Sequence, residues 1–131
     1  MPDSAKYKNR NRTTAHKRVL TQKNMLRGAI SFLFILFGAW EIYNPAYWTP
    51  FFPNIINISN AAISIIISIH GIILLIIGIA IIVGYKLKAF AALGTIMMII
   101  ISLSLLYLSG ISDLFIRDVA ITIATAALML D

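Results

Sequence analysis

Cysteine is absent from this chain, and charge is scarce: of 131 residues, only 12% are Asp, Glu, Lys or Arg, against about 25% in an ordinary soluble domain. Without a thiol there is no disulfide, no thiolate metal site and no reactive cysteine. Acids are the rarer sign, five against eleven bases. Beyond Arg27 the bases thin out as well, to Lys86, Lys88 and Arg117. The chain also lacks a Gly-rich phosphate loop, a metal-ligand spacing and a nucleophile triad, which removes the motif-bearing NTPase, metallohydrolase and serine-hydrolase classes. The Met97-Met98 pair has no second soft ligand nearby and reads as apolar filling rather than a copper site. A haem with two axial histidines is excluded within one chain, because the apolar region offers only His70.

What the chain does contain is apolar sequence. Hydrophobic residues make up 60% of it and the mean hydropathy is +0.88. Charge-free stretches run over 28–40, 42–85, 89–112 and 119–130. A spanning helix needs about 20 predominantly apolar residues. Four spans meet this requirement, at about 25–44, 60–85, 89–109 and 112–130, the first stopped by Pro45. The Ile-rich runs are too long and too little alternated for barrel strands. The expected fold is therefore all-α, an integral membrane four-helix bundle.

Orientation follows from the bases, which accumulate on the cytoplasmic side. Lys6, Lys8, Arg10, Arg12, Lys17, Arg18, Lys23 and Arg27 form a basic head opposed only by Asp3. The head and the turn carrying Lys86 and Lys88 both face inward, so four spans place both termini in the cytoplasm. Residues 1–24 are expected to form a flexible basic tail that orients the chain and adheres to anionic headgroups, and His16 within it is solvated. Residues 25–131 form the membrane domain. The first span is read as retained, since no clean small-x-small cleavage site follows it. The outer loop, 45–59, has no charge and alternates Pro45, Pro50 and Pro53 with Tyr47, Trp48, Phe51 and Phe52, which suits the headgroup layer.

Ionisable residues inside a span are costly and are candidates for function. At 1.5 Å per residue, Glu41 lies about 21 Å above Arg27, and His70 about 24 Å above Lys86. Counted back from Asp131, Arg117 and Asp118 lie about 21 and 20 Å above the inner end. The four therefore share one layer in the outer third of a core about 30 Å thick, with Ser102, Ser104 and Tyr107 at about the same level. The 12 residues 119–130 cover only about 18 Å, so the last helix must take in Arg117, Asp118 and Asp113 to cross. Ser112 suits its N-cap, and Asp113 sits four residues before Arg117, the spacing of a helical ion pair. The simplest network has Arg117 held by Asp113 and a further acid such as Glu41, leaving the remaining carboxylate and His70 to exchange protons. The same network could serve only to set helix register. Gly71 and Gly78, with Ser64 and Ser68, and Ala120 with Ala124, offer small faces for close helix approach.

Several segments resemble the DoxX family (DoxX/DoxD-related). The segment 70–78, HGIILLIIG, followed by the turn with Lys86 and Lys88 and by Ala89, Ala91 and Ala92, looks like that family's second helix and turn. The segment 112–120, SDLFIRDVA, leading into an Ala-rich close, is similar to its last helix, where an Arg-Asp pair often opens the span. The Arg27-Gly28 start and the loop from Asn44 and Pro45 to Pro53 also fit, so the resemblance covers residues 25–131. At the place of His70 the family frequently has an acid, a departure that touches any role needing a carboxylate there.

The resemblance implies a small multi-pass protein of a prokaryotic plasma membrane, a subunit of a quinone-linked oxidoreductase or respiratory-type complex. Glu41, His70, Asp113, Arg117 and Asp118 would line a quinone or proton-transfer site. No cofactor is expected to be held by this chain alone, with quinone the candidate ligand, no metal, and no complete enzyme activity by itself. Expected partners are the bilayer, other membrane or redox subunits and a second copy of the chain, with no nucleic acid. The competing expectations are a non-catalytic assembly subunit and a small proton-coupled exporter.

Overall fold

The computed structural model describes residues 3–130. Asp131, the inner marker for the last helix, lies outside the described residues. The fold is all-α. In chain order the helices are α1 (Asp3–Tyr43), α2 (Pro45–Trp48), α3 (Asn60–Val83), α4 (Leu87–Ser109) and α5 (Asp113–Ala127), with a 3-10 turn at Thr49–Phe51 after α2. Three of these, α1, α3 and α4, are long and apolar enough to cross a membrane.

Local chemistry explains several of the boundaries. Nothing between positions 3 and 43 breaks a helix: the first proline after Pro2 is Pro45. The expected division at residue 24 therefore falls inside α1, which continues unbroken through the basic head. Asn44 then leaves the helix at φ −139°, and its side chain accepts from the Tyr47 N–H to cap α2, with Pro45 in the first turn, where its missing N–H does no harm. Ser59 caps α3 by accepting from the Ala62 N–H. At the other end Gly84 adopts φ 83° and its N–H reaches the Ala80 and Ile81 carbonyls, a left-handed closure that glycine enters without a Cβ penalty. Ser112 caps α5 through the Phe115 N–H, as its position suggested.

α1 packs chiefly on α3, and α5 on α4. The first of these seams is made by glycine. A Cβ on Gly38 would lie 2.6 Å from the Gly71 carbonyl oxygen, and one on Gly71 would lie 2.8 Å from the Gly38 oxygen. The two backbones are in contact there, as small residues allow between membrane helices. Gly78 meets Ile35 and the Ser31 carbonyl in the same way.

Below this crossing Phe34, fully buried, projects from α1 toward α4, where Gly94 leaves room for its ring. Ile30, Leu74, Ile77, Ile81, Ala91, Met98, Ile121 and Leu128 complete a core drawn from all four long elements and the residue after α5. The outward face of α3 is also apolar, carrying exposed Ile65, Ile69, Ile72, Ile76 and Ile79. An apolar exterior over an apolar core is the pattern of a helix whose solvent is lipid.

Arg27 has a structural duty at the C-terminal end of α3. Its guanidinium donates to the Ile81 carbonyl from Nε (3.3 Å) and Nη2 (3.2 Å), and from Nη2 to the Ile82 carbonyl (3.1 Å). These carbonyls belong to the last turn of α3, where backbone oxygens run short of intrahelical donors; the Ile81 oxygen also accepts from the Gly84 N–H. The contact locks α1, at Arg27, to the C-terminal end of α3.

The last helix differs from expectation in length. α5 has 15 residues, about 22 Å of rise, and residues 128–130 leave the regular helix in a terminal turn.

Candidate functional site

With α1 and α3 antiparallel and pinned at Arg27, the glycine crossing settles what lies above it. Glu41 is three residues beyond Gly38, and His70 immediately precedes Gly71. The close approach brings the His70 Nδ1 to 2.7 Å from the Glu41 Oε2. Glu41 is almost fully buried, its side chain 8% exposed, while the His70 ring retains 25%. At this distance the carboxylate and the imidazole share one hydrogen bond through Nδ1, and the second ring nitrogen, Nε2, takes no part in it. The pair is thus a buried acid connected to the surface of the bundle through an imidazole.

A second pair lies on α5. The Arg117 Nε donates to the Asp118 Oδ1 at 3.0 Å. Asp118 is buried and Arg117 is close to half exposed. The guanidinium also lies over the Phe37 ring, 5.4 Å from its centroid, a cation–π contact. Phe37 precedes Glu41 by four residues, so the two share a face of α1 one turn apart. Arg117 therefore sits within about a helical turn of the level of Glu41, in keeping with the common layer inferred from chain counting.

The pairing pattern is not the expected one. Among the described residues Arg117 has one carboxylate partner, Asp118, its sequence neighbour. Asp113 is exposed in the first turn of α5 and forms no ion pair with Arg117, and Glu41 is engaged by His70 instead. The i, i+4 spacing was available, but the Arg117 guanidinium lies over the Phe37 ring and bonds Asp118 instead. Ser102 and Ser104 lie on α4 as expected, yet their hydroxyls donate to the Met98 and Ile100 carbonyls one turn back. Tyr107 points outward, 71% exposed.

Two residues escaped the charge-based reading, Phe37 and Trp48. Trp48 on α2 packs edge-on against Phe37, with centroids 6.1 Å apart, and contacts Tyr47 and Phe51. Its indole Nε1 is buried, and among the described residues it has no hydrogen-bond partner. The spacing of Phe37 from Glu41 was the one available signal for the first; for Trp48 there was only membership of an aromatic loop. Among the described residues no group of three or more His, Cys, Asp or Glu is placed to hold a metal ion.

Compared with known proteins, the chain matches no family model, no curated protein and no solved structure.

Proposed function

We propose that the chain is a four-span plasma-membrane protein with both termini cytoplasmic, a DoxX-like subunit of an oxidoreductase complex in which Glu41 and His70 exchange protons with a quinone. The observation that carries this is the 2.7 Å contact between a buried acid on α1 and a quarter-exposed imidazole on α3. A buried acid joined to a part-exposed base is the arrangement that lets a proton enter and leave an apolar site. Support for the orientation comes from both ends of the bundle. Arg27, Lys86 and Lys88 mark one end, and the Trp40, Tyr47, Trp48 and Phe51 cluster marks the other as an interfacial belt. α5 would complete a fourth crossing by packing along α4, the membrane thinning or the terminal turn making up its short length.

The donors around Phe37 suit a flat apolar ring bearing carbonyls. Asp118 accepts from the Arg117 Nε, the Trp48 indole N–H is buried without an acceptor among the described residues, and the Phe37 ring contacts both groups. A bound quinone would supply a two-electron, two-proton acceptor, with the electrons delivered by a partner redox subunit. Arg117 and Trp48 would orient its carbonyls, Asp118 would hold Arg117, and His70 would pass a proton between Glu41 and the site.

The test is purification of the complex in mild detergent, with quinone-coupled turnover measured for wild type and for Glu41→Gln. Gln keeps the size and a hydrogen bond but cannot carry a proton, so turnover is expected to fall by about 10²-fold while the complex still assembles. Unchanged turnover in an intact complex would favour the assembly-subunit reading. Transport driven by a pH gradient and abolished by the same substitution would favour the exporter.

A further inference from the structure

The basic head is an unbroken helix, and that changes what it can bind. Every residue from 3 to 22 is exposed, and α1 passes from this segment into the first span without interruption. A helix lacking Pro curves only gently, so the head leaves the bundle roughly along the axis of the span. Lys6 then stands about 32 Å, and Lys17 about 15 Å, beyond Arg27. Screening limits charge interactions to about 8 Å at physiological salt. The outer half of the head is therefore beyond the reach of headgroups. Nor is it an amphipathic segment able to lie on a membrane or in a protein groove, because its large apolar residues Tyr7, Val19 and Leu20 fall on three different sides.

The helical positions of the charges are ordered. At 100° per residue, Lys6, Arg10 and Lys17 form a stripe about 100° to one side of Arg18, and Lys8 and Arg12 form another about 100° to its other side. Between the stripes, within about 60° of Arg18, lie Ser4, Tyr7, Asn11, Thr14, Ala15 and Gln22. Two cationic flanks around a largely polar face that includes Asn11, Arg18 and Gln22 match a groove with phosphates on both walls and base edges on its floor. A flat acidic protein surface would need only one flank. The major groove of DNA, about 12 Å wide, admits a helix about 10–12 Å across, whereas that of duplex RNA is too narrow.

We propose that the N-terminal part of α1 is a membrane-tethered helix that binds duplex DNA in the major groove, with Lys6, Arg10, Lys17, Lys8 and Arg12 on phosphates and Asn11, Arg18 and Gln22 facing the bases. This departs from the expectation of no nucleic-acid partner, and the helical form of the head is the reason. In the cell the inference rests on the inward orientation proposed above.

The test uses the full chain in nanodiscs of zwitterionic lipid, which expose both faces and so make binding independent of orientation. Fluorescence anisotropy with short labelled duplexes is expected to show DNA bound about tenfold more tightly than duplex RNA of equal length. Replacing Lys6, Arg10 and Lys17 together by Gln should lower the slope of log affinity against log salt by about 2.7. Ala15→Pro keeps every charge but breaks the helix, and should weaken DNA binding about tenfold. The proposal is overturned by no DNA binding at low salt, by equal affinity for the two duplexes, or by unchanged binding of the Ala15→Pro protein. Poly-glutamate binding as tight as DNA would overturn it in favour of an acidic protein partner.

Discussion

The α1 and α3 seam places its polar pair across two helices, while the pair on α5 is made by sequence neighbours. Glu41 and His70 are 29 positions apart and meet only because Gly38 and Gly71 let two backbones touch. Arg27 fixes the opposite end of the same seam through the carbonyls of α3. Arg117 and Asp118 need no other helix to find one another, and the Phe37 contact connects Arg117 to α1. An ion pair across helices reports register; one within a helix reports how that helix neutralises its own buried acid.

The strongest way to break this comparison is at the glycine crossing. Gly71→Leu forces a side chain into the Gly38 backbone and should cost about 3 kcal/mol, read as a large fall in melting temperature and loss of the monodisperse peak in detergent. Wild-type melting would contradict the close contact.

The two pairs should then separate in a double-mutant cycle. Coupling between Glu41 and His70, measured with Glu41→Leu and His70→Leu, is expected at about 1 kcal/mol, the range of interhelical polar contacts in membranes. Coupling between Glu41 and Arg117 should be near zero, and a value equal to the first would merge the two pairs into one network.

Asp113→Asn is the smallest change. It removes an acid from the first turn of α5 and should lower stability by about 0.3–0.5 kcal/mol through the helix dipole alone, with no coupling to Arg117→Gln in thermal melts. A measurable coupling would restore the i, i+4 bridge.

Much of this was legible in residue order. The charge-free runs located α1, α3 and α4, Ser112 announced the cap of α5, and Gly71 and Gly78 marked the small face of α3. The site residues stood out as ionisable groups in apolar sequence. Their partners did not, because Asp113 and Asp118 were both within reach of Arg117, and the choice between them depends on where the guanidinium finds the Phe37 ring. The head was read as a tail from its charge. Once a span has nucleated a helix, extending it through residues such as Lys, Arg, Gln and Asn adds a hydrogen bond per residue with no new nucleation cost, and no proline stands in the way.

The sequence alone determined that lipid is the solvent of most of this chain, since transfer free energies depend on what each residue is and not on what it touches, and residue order showed which end carries the charge. Which acid meets which base was decided only in three dimensions. That choice turns on a contact between Gly38 and Gly71, residues distant in sequence, and on distances of a few ångströms that no local pattern encodes.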